Sequence, residues 1–169
     1  MIDLEDSFLK IISYMMEEVT LEDDTVVSRL NYYIRNKNAE KGDSLLDEIP
    51  NDSSRFVLNQ RMRDYKAFKN WIDIAIAESV EFDSNFNAVA KTYIFSINAL
   101  YQDDLSNAVF YNSIRMAEVL KDLMVDFFAN VKDFGFIYGF PQSNILPERV
   151  SVEGLKALKS GVLYTVVIQ

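Results

Sequence analysis

Apolar positions recur along this chain with two different periods, and each change of period marks a predicted change of element. Phe8, Ile11, Ile12, Met15 and Val19 fall three or four residues apart, which places them on one face of a helix. Asp6 or Ser7 is placed to cap that helix by accepting a bond from an otherwise unpaired backbone N–H. Residues 21–24 break the pattern. Thr25 is then the expected cap of a short second helix carrying Val26, Val27, Leu30, Tyr33 and Ile34. Residues 36–43 are polar and read as a loop, followed by an apolar anchor of Leu45, Leu46 and Ile49 before Pro50. Residues 51–54 carry a turn signal. Phe56, Val57 and Leu58 fit the start of a strand or of a helix.

The period then drops to two. Ile72, Ile74 and Ile76 alternate with polar or small positions over residues 71–77, a half-buried strand. Residues 80–87 read as a hairpin-like connection to a long strand over residues 89–101. One face of that strand carries Val89, Tyr93, Phe95, Ile97, Ala99 and Tyr101, with Lys91 among them. Asp103, Asp104 and Ser106 put acceptors and negative charge at a helix start, where the macrodipole favours them. Phe110, Ile114, Ala117, Leu120, Leu123, Met124, Phe127, Phe128 and Val131 continue as a broad apolar stripe, with Gly135 as the stop. Residues 136–140 predict a short strand cut by Pro141, and residues 144–152 resume extended chain. Residues 154–159 predict an exposed turn or helical turn. Residues 161–168 form the last strand, with Val162, Tyr164, Val166 and Ile168 on one face.

This order predicts an α+β fold with the plan α-β-β-α-β-β. Its core is a mainly antiparallel sheet of about four strands, with the long helix on one face and the N-terminal helix beside it. Residues 1–169 make one domain, and residues 36–70 are a long insertion of the kind that is often functional.

Composition narrows the chemistry. Of the residues 49% are hydrophobic and 13% aromatic, enough for a real core. The chain has no His and no Cys, so His-based acid–base catalysis, Ser–His–Asp or Cys–His nucleophiles and disulfides are excluded, and zinc sites are improbable. No Gly-rich phosphate loop occurs. Glu17 with Glu18, Asp23 with Asp24 and Asp103 with Asp104 could hold Mg²⁺ or serve a glycosidase, but adjacent carboxylates are more simply solvated faces or caps. Glu78, Glu81 and Asp83 flank a hairpin without the ligand spacing of an EF-hand. No cofactor and no metal are expected. No apolar run reaches the roughly 20 residues needed to span a bilayer, and the acidic start is unlike a signal peptide. The expectation is a soluble protein that folds in a cytoplasm and has no membrane partner.

The formal charge is −9, unevenly spread: residues 1–54 carry −8, residues 55–69 carry +4 and residues 70–169 carry −5. An acidic body disfavours tight binding of nucleic acid. The island Arg55, Arg61, Arg63, Lys66 and Lys69 is the exception. It reads as a solvated segment, as a contact to an acidic surface on a neighbouring copy, or as a phosphate contact aided by stacking of Tyr65, Phe68 and Trp71. Trp71, the only tryptophan, reads as a core-edge residue or an interface anchor.

The order of an N-terminal helix, a strand at 72–77, a strand at 89–101, a helix at 106–131 and a last strand at 161–168 resembles the tail terminator (tail completion) proteins of long-tailed bacteriophages. The resemblance lies in element order and length over residues 1–35 and 71–169. It implies a non-enzymatic virion protein, made in the host cytoplasm, whose copies form a ring, commonly of six. That ring would cap the tail tube, join it to the neck or connector proteins and let DNA pass without specific binding. It further implies subunit-interface or lumen contacts from the basic island, Trp71 and the last strand with Tyr164, Val166 and Ile168, whose edge a neighbour would extend. Another neck or tail-completion component, a small α+β adaptor presenting the basic island, and a carboxylate–metal enzyme are the competing readings.

Overall fold

The structure, a computed structural model, describes residues 3–59, 61, 67–130 and 138–168, and leaves the side chains of residues 138–145 and of Ile168 undescribed. Helix α1 (Leu4–Met16) starts earlier than predicted, because Asp3 caps it: Asp3 Oδ1 accepts from the Asp6 N–H at 2.9 Å. Ile11 and Met15 bury its inner face completely.

Val19, Val26 and Val27 are not helical. They belong to a two-stranded antiparallel hairpin of β1 (Glu18–Thr20) and β2 (Val26–Ser28), turned at Asp24 with φ 66°. Their β-branched side chains suit a strand. Ser28 then caps helix α2 (Arg29–Lys41), its hydroxyl accepting from the Asn31 N–H at 3.1 Å. The polar run at 36–43, expected as a loop, is mostly this helix. Gly42 closes it at φ 73°, and its N–H and that of Asp43 reach the Ala39 and Asn38 carbonyls.

The strands after α2 form one mixed sheet of five, not four, in the order β3-β4-β5-β7-β6. Its members are β3 (Phe56–Leu58), β4 (Asn70–Phe82), β5 (Ala88–Gln102), β6 (Tyr138–Val152) and β7 (Leu155–Ile168). The extra strand, β3, runs parallel to β4, and every other pairing is antiparallel. Strand β6 is continuous through Pro141, which pairs with Tyr164. A proline is tolerated there because β6 is, among the described residues, an edge strand. Glu153 and Gly154, at φ 51° and 79°, make the two-residue β6–β7 turn that had read as a longer turn or helical turn.

The last strand is therefore not an edge. β7 lies between β5 and β6, paired on both sides. The run Gly161-Val-Leu-Tyr-Thr-Val-Val-Ile168 is apolar on both faces, the pattern of an interior strand.

Helix α3 (Asn107–Asn130) and the two shorter helices cover one face of the sheet. Ile72, Ile74, Phe95, Ile97, Val162 and Val166 meet Met116, Leu120, Leu123 and Phe127 in one continuous core. Phe128 stacks on Tyr164 with ring centres 4.0 Å apart, and its edge contact with Phe95 extends the aromatic layer across three elements. Small residues let α3 approach β7 closely. The buried Ser160 hydroxyl donates to the Ser113 carbonyl at 2.6 Å, which uses its only proton. In the 2.7 Å contact between the two hydroxyls, Ser113 must then be the donor. A smaller cluster of Val57, Trp71, Leu100 and Ala157, flanked by Phe68, Val150 and Val152, occupies the opposite face.

Candidate functional site

Most of the sequence-nominated contacts are internal. Trp71 is 1% exposed and Val166 is fully buried, so neither side chain is free to meet a neighbour. Tyr164 is half-buried under Phe128, and Ile168 pairs with Lys91 through the backbone. In the basic island, Arg55 lies over the Phe68 ring at 4.3 Å and donates to both the backbone carbonyl and the side-chain oxygen of Asn70 at 3.0 Å. It is a brace for the start of β4. Arg61 and Lys69 are exposed, and Arg63 and Lys66 lie outside the described residues. The carboxylates Glu78, Glu81 and Asp83 do not converge. Glu78 pairs with Lys91 at 3.6 Å, and Asp83 accepts from the Asn85 and Asn87 N–H groups across the hairpin turn. Among the described residues no three acidic side chains gather as a metal site. Also among them, no helix is long and apolar enough to cross a membrane.

Three features stand out instead. The first is an arm. β4 and β5 pair out to Phe82 and Ala88, beyond the last β5–β7 pair at Lys91, and residues 81–89 at this end are all exposed. β3 pairs only as far as Ile74, so β4 residues 77–82 have an open outer margin among the described residues. The turn is rigid. Asp83 Oδ1 bonds two backbone N–H groups, which also hold its carboxyl below the usual carboxylate range, and the Phe86 N–H reaches the Asp83 carbonyl at 3.0 Å. Phe86 sits at φ 64° and is 87% exposed, with Phe82 and Val89 beside it also exposed. A bulky aromatic residue at positive φ, held out in water at a tip, is costly unless it meets something.

The second feature lies at the other end of β5. A shallow cavity of about 190 Å³ is lined by Leu105, Phe110, Pro147 and Leu158, with Asp103 and Arg149 among its polar walls. Leu105 is itself exposed, at φ 64°. β5 has 15 residues, so the arm tip and this cavity are separated by about 50 Å along the strand.

The third feature is a cavity of about 330 Å³ with mixed polar and apolar lining, between the starts of β4 and α3 and the end of β5. Buried Asn70, Tyr101 and Asn112 contribute to its wall, as do Asp47, Lys69 and Asp104, which are exposed. Burial raises the pKa of Tyr101, the Asn70 amide opposes the rise, and the Asp47 charge adds to it.

None of these features was legible as a site in the sequence. The one signal for the arm was the cluster of Phe82, Phe86 and Val89 around a turn, where alternation alone does not predict large apolar residues. Compared with known protein families and with curated proteins, the sequence matches none.

Proposed function

We propose that this chain is a non-enzymatic assembly subunit that closes into a ring, in the role of a tail terminator that caps a phage tail tube and joins it to the neck. The observation that carries the reading is the separation of an apolar knob, Phe86 with Phe82 and Val89, from a hollow of mixed polar and apolar lining at Leu105, Phe110, Pro147 and Arg149. A knob and a hollow on different parts of one surface make a head-to-tail contact, and head-to-tail contacts propagate into rings when the rotation closes. The open margins of β4 and β6 give that contact a backbone component, because an unpaired strand edge is a template for another strand. Helix, strand, strand, helix, strand, strand survives as the inner plan of α1, β4, β5, α3, β6 and β7, in keeping with the resemblance to tail terminators. A net charge of −9 suits a lumen past which DNA slides. The ring contact belongs to the arm and the sheet margins. The last strand, Trp71 and Arg55 are internal braces.

The test is negative-stain imaging of the purified protein alone and mixed with phage tail tubes. Rings, and rings seated on tube ends, are expected. Particles that stay single and leave tube ends bare would reject the reading.

A further inference from the structure

The two ends of β5 carry opposite exposed charge. At the arm tip, residues 81–89 include Glu81 and Asp83 but no Lys or Arg, and all of them are exposed. Asp83 Oδ1 is committed to the turn, where it holds the Asn85 and Asn87 N–H groups. Glu81 lies outside that turn, opposite Ala90 on β5. At the other end, Arg149 stands in the wall of the hollow with its side chain 79% exposed. It lies 3.9 Å from Asp103, whose side chain is 5% exposed, a contact too long for a hydrogen bond. A second cation borders the hollow. Lys156 is exposed, shares a face of β7 with the hollow's Leu158, and accepts the Asp103 N–H on its carbonyl at 3.0 Å. Asp104 contributes to the neighbouring 330 Å³ cavity and not to this one.

Size and reach agree with the charges. The hollow measures about 190 Å³, and roughly 150 Å³ is enough to hold a benzene ring, so one phenyl group fits. Leu105 and Phe110 offer it exposed apolar surface. A chain cannot fill its own hollow, because β5 keeps the arm tip about 50 Å away from it. Resting on the ring reading, we propose that the arm turn of one copy docks in the hollow of the next, with Phe86 against Leu105 and Phe110 and with Glu81 paired to Arg149. Charge then sets the polarity of assembly. Tip against tip would oppose Glu81 and Asp83 to their own kind, and hollow against hollow would oppose Arg149 and Lys156. Like-charge contacts disfavour both arrangements and leave head to tail.

The test is sedimentation velocity of the full chain with single and paired charge reversals. Raising salt from about 50 to about 500 mM should weaken wild-type association severalfold, because exposed pairs are screened. Glu81→Arg or Arg149→Glu alone should weaken association about tenfold at low salt. Both side chains are exposed, so the thermal unfolding of each variant should match wild type. The double variant, Glu81→Arg with Arg149→Glu, should return to within about threefold of wild type, since the pair is re-formed with its signs exchanged. Single reversals that associate like wild type overturn this proposal and leave the ring reading standing. A double variant as weak as the singles also overturns it, because the two charges then act at separate contacts. A wild-type chain that stays monomeric at every concentration overturns both.

Discussion

Asn98 fills the space that a side chain on Gly161 would need. The two residues pair across β5 and β7, and a Cβ at Gly161 would lie 2.6 Å from Asn98 Oδ1 and 2.1 Å from the Ile97 carbonyl oxygen. Asn98 is held by its own bond to the Ser96 hydroxyl at 2.8 Å, so its amide has little room to retreat. The nearest obstacle is backbone, which cannot rotate away. Gly161→Ala should therefore destabilise the fold by about 3 kcal/mol, the upper end of overpacking costs, when measured by urea unfolding. A change under about 0.5 kcal/mol would mean that the β5–β7 spacing is wider than described.

Asn31 and Asn38 stand two turns apart on α2 and strap the following segment to it as a strand would. Asn31 exchanges two 2.8 Å bonds with the Ile49 backbone, and Asn38 exchanges bonds of 2.9 and 3.0 Å with the Leu46 backbone. These bonds seat Leu46 and Ile49, each 2% exposed, in the core. Asn31→Leu leaves the Ile49 N–H and carbonyl unserved, at a cost of about 2–4 kcal/mol. Asn38→Leu should cost less, because its site is only partly buried. Equal and negligible losses in chemical denaturation would show that the segment is held by Leu46 and Ile49 alone.

These asparagines also explain where sequence reading fell short. Asn at 36 and 38, with Lys, Glu and Gly nearby, has the composition of a loop, and a helix was not expected there. Asn31 and Asn38 act through backbone groups up to 18 residues away, which no local pattern reveals. The long elements were legible because a two-residue or 3.6-residue period over 10 or more positions leaves little ambiguity. Three-residue strands such as β1, β2 and β3 carry no usable period. Sheet order was hidden for another reason. β7 shows apolar residues on both faces, a sign of an interior strand, whereas element order alone does not say which strands flank it. Exposure was least legible: Phe86 and Trp71 are both large aromatics near strand ends, and only the packed fold separates a bare tip from a 1% exposed core residue.

Alkaline pH should unfold this protein in step with its buried phenols. Burial first, then the hydrogen bond and charge of Asp126, raises the pKa of Tyr33, and burial raises those of Tyr101, Tyr164 and, against the pull of Arg29, Tyr14. A phenol raised in the folded state favours folding while it is protonated. Its contribution is complete below the ordinary value of about 10 and is lost as pH climbs from there towards the folded value. With no histidine, stability should be flat from roughly pH 6 to 9. Phenolate absorbance should show Tyr14, Tyr33, Tyr101 and Tyr164 titrating late and together with loss of near-ultraviolet circular dichroism. Ionisation of these four near pH 10 in an intact fold would contradict their raised values.

Self-association through the arm is the central claim, and sedimentation velocity on paired variants tests it most directly. Phe86→Asn removes the knob, and Leu105→Asn alters the hollow; asparagine tolerates the positive φ at both positions, so the fold is expected to persist. Wild type should sediment as a closed oligomer and each variant alone as a monomer. An equal mixture should form a dimer, because one intact knob then meets one intact hollow. A wild-type chain that stays monomeric at every concentration, or variants that assemble as well as wild type, would contradict the account.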